Sequence, residues 1–377
     1  MADQEIKNLY FSHAKVWSLL SKINKSEKIG STYLFSGPQG SGKEAISIKF
    51  AQLINCERHL EYPCDSCASC KRFSRLQHEN LNIILPLPTP NNSKNPKNFI
   101  DKKIAEIISN EISFKAKDLF HKIKIPRANR ILIQSVRNLR SNIYLKSLTS
   151  GRKVILFFDA HILSRGQGES ANSLLKLLEE PPNKTTFILV TDKPDFLFST
   201  IRSRCLEVKI QKFDQNFIIK WLKLKNINES HLLLIAGLSD GNIHHVKFLI
   251  SQPFEKFLLL LGETINIITN KNSEEWRTFV LHYSKMIRQD IELFYFHFSM
   301  LKIWFQSLNR LKMNLVHLLH KTALRNGMDN VIKKFPNADF FEIIFEIERT
   351  RIAPISQIYM PLELTNFLIR VKKHLEK

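Results

Sequence analysis

Along the first half of the chain, short apolar runs alternate with segments whose apolar positions recur every three or four residues. That rhythm predicts a parallel sheet flanked by helices. Ser31 to Phe35 reads as a strand that runs straight into a glycine-rich turn. From Glu44 to Leu53, Ala45, Ile46, Ile48, Phe50 and Ala51 keep helical spacing. Residues 85–99, LPLPTPNNSKNPKNF, are rich in Pro, Asn, Ser and Lys and predict a loop, followed by a helical insertion from Ile100 to about Lys124. Ile133, Val136, Leu139 and Ile143 mark a helix with one face on the sheet. Val154 to Phe158 and Thr186 to Val190 are continuous apolar runs, as expected of strands buried on both faces. Between them, Ser170 to Glu180 reads as a helix stopped by Pro181 and Pro182. Beyond about residue 212 strand signals vanish. The expected organisation is an α/β parallel-sheet domain over 1–212, a small helical domain over 213–255 and a larger helical one over 256–377.

Composition narrows the class. Hydrophobic residues make up 44% of 377, which excludes an intrinsically disordered chain. Lys and Arg number 56 against 35 Asp and Glu, a formal charge of +21. Such a surplus attracts phosphate backbones or anionic lipid. A genome-wide drift toward Lys, Ile, Asn and Phe produces the same surplus, and composition does not separate the two. The opening MADQEIKNLYFSHAKVW has no charged start followed by an apolar block. The most apolar short run, Phe257 to Leu261, falls far short of the ~18 residues of a spanning helix. A cytoplasmic protein with no membrane partner is expected.

The first chemistry lies after the first strand. Gly37-Pro38-Gln39-Gly40-Ser41-Gly42-Lys43 matches the first seven positions of a P-loop, between a strand and a helix as that motif requires. Glycines let backbone N–H groups turn inward around a polyphosphate, while the helix N-terminus and Lys43 supply positive charge. The eighth position should be Ser or Thr, to bind the magnesium that bridges the terminal phosphates. Here it is Glu44. The strand Val154–Phe158 is followed by Asp159, the place of a magnesium-orienting carboxylate, but the next residue is Ala160, which offers no base. His161 is adjacent, and strand alternation would turn it the other way, as a solvated or interface histidine. The residues support phosphate binding and do not support ATP hydrolysis with Mg2+.

Four of the five cysteines, Cys56, Cys64, Cys67 and Cys70, fall within fifteen residues. In a reducing compartment this spacing predicts a structural Zn2+ module over 56–70 rather than a disulfide framework. Four thiolates fill a tetrahedral site and leave no position for catalysis. His59 is a spare ligand the fourth cysteine makes unnecessary, and Cys205 reads as a small core residue.

Ala171-Asn172-Ser173-Leu174-Leu175-Lys176-Leu177-Leu178-Glu179-Glu180-Pro181-Pro182, then Thr186 to Thr191, then Thr200-Ile201-Arg202-Ser203-Arg204-Cys205 follow in order. Together with the phosphate loop and the cysteine cluster, these motifs cover most of residues 30–210. In this arrangement the chain resembles the AAA+ subunits of the bacterial replicative clamp loader. The resemblance implies an AAA+ parallel-sheet domain with a zinc module, a helical lid and a C-terminal helical collar. It implies a hetero-pentameric ring with gamma/tau and delta subunits, acting on the sliding clamp and primer–template DNA. It implies that Arg204 reaches in trans to ATP on a neighbouring subunit; a carboxylate partner on its own domain is the alternative. It places Thr191 where a hydroxyl touches a γ-phosphate, or where a threonine simply ends a strand. The family's arginine on the lid falls at about His245 in Gly237–His245, and a largely neutral imidazole is a poor substitute for a guanidinium. Glu44, Ala160 and His245 together favour the delta-prime-like branch, which does not hydrolyse ATP, over the gamma/tau-like motor.

Overall fold

A computed structural model describes residues 2–58, 60–89, 101–145, 149–166, 168–270, 272–356 and 358–377. They divide into two units, Met1–Phe213 and Asp214–Lys377. Most of the predicted 85–99 loop and His59 lie outside the described residues.

The first unit opens with α1 (Ala2–Ser12) and α2 (Ala14–Lys25), two helices the apolar pattern did not announce. It continues through β1 (Thr32–Ser36), α3 (Lys43–Ile54), α4 (Ala68–Ser74), β2 (Leu81–Ile84) and α5 (Lys102–Lys117). Then come α6 (Ile133–Ile143), β3 (Lys153–Phe157), α7 (Glu169–Glu179), β4 (Thr185–Thr191), α8 (Ser199–Arg202) and β5 (Leu206–Lys209). Among the described residues the strands form one sheet in the order β2-β3-β4-β1-β5, all parallel.

The continuous apolar runs became the three interior strands, with every residue of β1 and β4 buried. One face carries Leu34, Ile155, Phe157, Phe187 and Leu189 against α6 and α7. On the other, Tyr33 and Phe35 pack on Phe50 of α3, with ring centroids 5.5 and 6.2 Å apart. The face changes at each successive residue, as the strand period demands. β2 and β5 are short edge strands with mixed exposure, which the apolar pattern did not reveal. α3 is buried along nearly its whole length, so the phosphate loop that starts it is anchored on a core element.

The second unit is helical throughout its described residues: α9 (Gln215–Leu224), α10 (Glu229–Ser239), α11 (Ile243–Ser251), α12 (Phe254–Thr269), α13 (Ser273–Gln289), α14 (Ile291–Lys312), α15 (Leu324–Lys334), α16 (Phe340–Ile352) and α17 (Met360–Leu375). Aromatic α14 forms its spine. Phe294, Phe298 and Trp304 are buried, and Phe298 packs within 5.3 Å of Tyr283 and 5.7 Å of Phe367. Each such ring contributes about 2–3 kcal/mol by leaving water.

A nearly buried ion triad ties α16 to α17. Arg370 donates to Glu346 and to Glu363 at 2.6 Å each, and both acids are largely removed from solvent. Removing the guanidinium strands two carboxylates, so Arg370→Met should lower stability by roughly 3 kcal/mol. Adding Glu346→Gln and Glu363→Gln should recover most of it. Denaturant unfolding checks this; a loss below about 1 kcal/mol in the single variant would mean the triad is well solvated.

Candidate functional site

β1 ends at Ser36, whose partner in the register is Thr191 at the end of β4. β3 ends two residues short of that level, at Phe157 opposite Leu189, so that Asp159 comes level with Thr191. The carboxyl ends of three adjacent strands therefore deliver Gly37, Asp159 and Thr191 to one rim of the sheet, the edge where open parallel sheets bind ligands.

The loop fits tightly. A Cβ on Gly37 would meet the Ile210 carbonyl at 2.2 Å. Gly40 and Gly42 take left-handed backbone, φ 68° and 79°, and a Cβ on Gly42 would strike the Phe213 ring at 2.5 Å. Ser41 is fully buried, and its carbonyl is held by His13 Nε2 at 2.9 Å. The Ser41 hydroxyl has no hydrogen-bond partner among the described residues, an orphaned donor of the kind a phosphate oxygen satisfies. Lys43 starts α3 and donates to the Pro38 carbonyl at 3.0 Å. Burial pulls its ammonium pKa down, with Asp192 and Glu44 opposing. Loop and helix terminus thus suit a phosphate.

The magnesium position does not suit magnesium. Glu44 is largely buried, and two lysines from the 102–124 segment converge on it. Lys115 Nζ donates to Oε2 at 2.6 Å and Lys122 Nζ to Oε1 at 2.7 Å. Lys122 also donates to both oxygens of Asp159 at 2.9 Å. Burial alone would raise the Glu44 carboxyl, but the two ammonium groups outweigh it and hold it ionised far below the usual carboxylate range. For Lys122, Glu44 and Asp159 overcome the cost of burial and raise its pKa, so it stays charged. Asp159 itself sits in the left-handed region, φ 50°, a conformation a non-glycine residue holds at a cost of about 1 kcal/mol or more. Asp159, His161 and Asp192 approach within 4.8 Å of one another and can hold a cation, yet both Asp159 oxygens already accept from Lys122.

His161 departs from the expectation. β3 stops at Phe157, and after Asp159 the chain enters a short 3₁₀ turn, Ala160–Ser164. Strand alternation therefore does not apply, and the imidazole is buried instead of solvated. Its Nδ1 lies 3.0 Å from Thr191 Oγ1 and 3.7 Å from Asp192. Burial lowers its pKa, with Asp192 opposing. Thr191 Oγ1 also accepts from the Lys193 N–H at 3.0 Å, and Ala160 is fully buried.

Arg204 follows α8. It donates to the Thr200 carbonyl at 2.7 Å and to Glu179 at 2.6 Å, an intramolecular carboxylate partner on a half-exposed surface. Cys205 packs against the sheet core, and burial pushes its thiol up to about 12, away from the thiolate form. His245 lies on α11 of the second unit, edge-on to Phe296 with centroids 5.9 Å apart.

The four clustered thiols all lie within 4.8 Å of one another and can hold a metal ion. In a tetrahedral zinc–thiolate centre the sulfurs stand about 3.8 Å apart, from Zn–S bonds of about 2.3 Å. Cys64 and Cys70 sulfurs are 3.9 Å apart. Backbone N–H groups of Cys67 and Cys70 point at the sulfurs of Cys64 and Cys67, both at 3.3 Å, as donors do toward thiolates. Burial would raise the Cys64 thiol, but hydrogen bonds from Cys67 and Ser66 outweigh it and bring it down to about 6. Gln52 of α3 fastens the knuckle by donating to Asp65 at 2.8 Å and to the Cys70 carbonyl at 3.1 Å.

A family profile described as "DNA polymerase III, delta subunit" matches residues 12–214, the whole sheet unit beyond its first helix. The chain belongs to this clamp-loader family. Its relatives within DNA polymerase III include the tau/gamma subunit of Haemophilus influenzae, 31% identical over 65% of this chain and 30% of that one. The delta' subunit of Bacillus subtilis is 24% identical over 60% of this chain and 56% of that one. The chain thus spans about a third to a half of the length of these curated relatives. A crystal structure of a gamma subunit-related protein from Thermotoga maritima aligns over 95% of this chain and 99% of that one, with 16% identity and a TM-score of 0.41. Among the described residues no helix of this family member is long and apolar enough to cross a membrane.

Sequence reasoning missed the two lysines. Only charge complementarity to Glu44 and Asp159 could have signalled them, and their separation of 71 and 37 residues hides it. Elemental analysis of the purified chain should find about one zinc per molecule. Cys70→Ser should abolish it and lower the thermal midpoint, while Cys205→Ser should leave both unchanged; wild-type protein without zinc would refute a metal centre here.

Proposed function

We propose that this chain is a delta-prime-like subunit of a replicative clamp loader, without ATP hydrolysis of its own. It joins gamma/tau and delta subunits in a ring that places the sliding clamp on primer–template DNA. The observation that carries this reading is a phosphate loop whose backbone is intact and whose hydrolytic positions are spoiled. Ala160 has no base to activate water, and Glu44, in place of a metal-binding hydroxyl, is locked by two lysines. Cys56, Cys64, Cys67 and Cys70 hold a structural zinc that staples the excursion between α3 and α4.

Arg204 is the proposed arginine finger. Its bond to Glu179 is a partly exposed ion pair, worth at most about 1 kcal/mol, so a neighbour's phosphate can displace the carboxylate cheaply. A guanidinium suits the task because its permanent charge and fork of donors stabilise a transferring phosphoryl group. Assembly is supported by the second unit, where α16 leaves Phe341 and Phe345 more than half exposed on one helical face. The charge of +21 suits the phosphate backbone, which would be held without base specificity.

With magnesium and ATP the isolated chain should show negligible turnover. In a reconstituted loader, Arg204→Ala should cut ATPase by roughly tenfold or more while the subunits still co-elute. An unchanged rate would remove the role in trans. Brisk turnover by the chain alone, abolished by Lys43→Ala, would instead make it a gamma/tau-like motor.

A further inference from the structure

The lysine that contacts Asp159 is set in place by the segment that follows α5, whose Phe120 packs edge-on to Phe213 beside Gly42. α5 ends at Lys117, and the chain folds back so that Lys115, almost wholly buried, bonds both Glu44 and the His121 carbonyl at 2.6 Å. That second bond fixes the backbone beside Lys122. The three hydrogens of the Lys122 ammonium then meet three acceptors: Glu44 Oε1 at 2.7 Å and the two Asp159 oxygens at 2.9 Å. These acceptors occupy the two places from which a P-loop protein holds its divalent ion, the residue after the loop lysine and a carboxylate that follows a neighbouring strand, here β3. A monovalent ammonium therefore stands where a small, octahedral, oxygen-seeking ion would stand. A carboxylate at position 44 is then the complement of a lysine, and the missing hydroxyl is no longer an isolated defect.

We propose that Lys122 is a resident cation that excludes divalent metal from this site, so that the loop takes a nucleoside di- or triphosphate without magnesium. Lys115 and Lys122 balance the charges of Glu44 and Asp159, which leaves Lys43 and the helix N-terminus to meet the phosphates. The proposal rests on the loop being a phosphate site, as read above, and not on the role of Arg204. It concerns the isolated chain, so the reconstituted-loader result leaves it untouched.

The test is equilibrium binding of ADP to the full chain, in EDTA and in saturating magnesium, with Mn2+ added separately as a paramagnetic probe of the metal position. Wild-type affinity should agree within about twofold between the two conditions, and Mn2+ should show no specific relaxation enhancement. Lys122→Met frees both oxygens of Asp159 and Oε1 of Glu44, while Lys115 keeps Oε2; it should acquire a Mn2+ signal and bind ADP at least roughly tenfold more tightly with magnesium than without. Lys122→Arg keeps the charge and should stay indifferent to the metal. Circular dichroism reports whether Lys122→Met folds; should it not, the wild type and Lys122→Arg still decide. A wild-type affinity raised about fivefold or more by magnesium, a Mn2+ site in the wild type, or no ADP binding in either condition overturns the proposal.

Discussion

The parallel register of β3, β4 and β1 is the constraint from which the site follows. Parallel strands end on the same side, and pairing Ser36 with Thr191 and Phe157 with Leu189 fixes where the loops leave the sheet. The phosphate loop, Asp159 and Thr191 are neighbours for that reason, although more than a hundred residues separate the first from the other two. Burial of every residue in β1 and β4 makes the register hard to slip, since one step would exchange the faces that α3 and α7 cover.

That geometry also creates an electrostatic problem. Two carboxylates, Glu44 and Asp159, meet at a partly buried rim, and burial of unpaired charge is costly. The 102–124 segment answers it with two ammonium groups, each within hydrogen-bond distance of Glu44. Removing either partner would leave the other stranded, so the acids and lysines belong to one unit. The arrangement is compatible with phosphate binding at the neighbouring N–H groups of α3, because Lys43 and the helix terminus remain beside the loop.

The knuckle depends on the same scaffold. α3 carries the loop at one end and Cys56 two residues past the other. Gln52 and Lys49 on that helix hold Asp65 inside the knuckle, so the thiol cluster and the phosphate loop share one rigid element. In the second unit, by contrast, the aromatic helix α14 buries Phe294, Phe298 and Trp304, while Phe341 and Phe345 of α16 are among the apolar side chains left exposed.

Local pattern alone determined the interior strands, the helices that cover them, the loop and the spacing of the four cysteines. Each is written in contiguous residues, as an apolar run, a 3.6-residue period, a glycine turn or a close pair of thiols. The edge strands β2 and β5 escaped because exposure on one side breaks the apolar run. α1 and α2 escaped with them, since Trp17 is buried against Tyr10 and against Tyr62, a residue far along the chain. Only the tertiary structure decided the state of the loop. Whether Glu44 faced a metal, water or an ammonium depended on a segment about 70 residues away. Whether His161 lay on a strand or a turn depended on the chain bending at Asp159. Coulomb attraction acts through space and leaves no period in the sequence; hydrophobic burial on regular elements does.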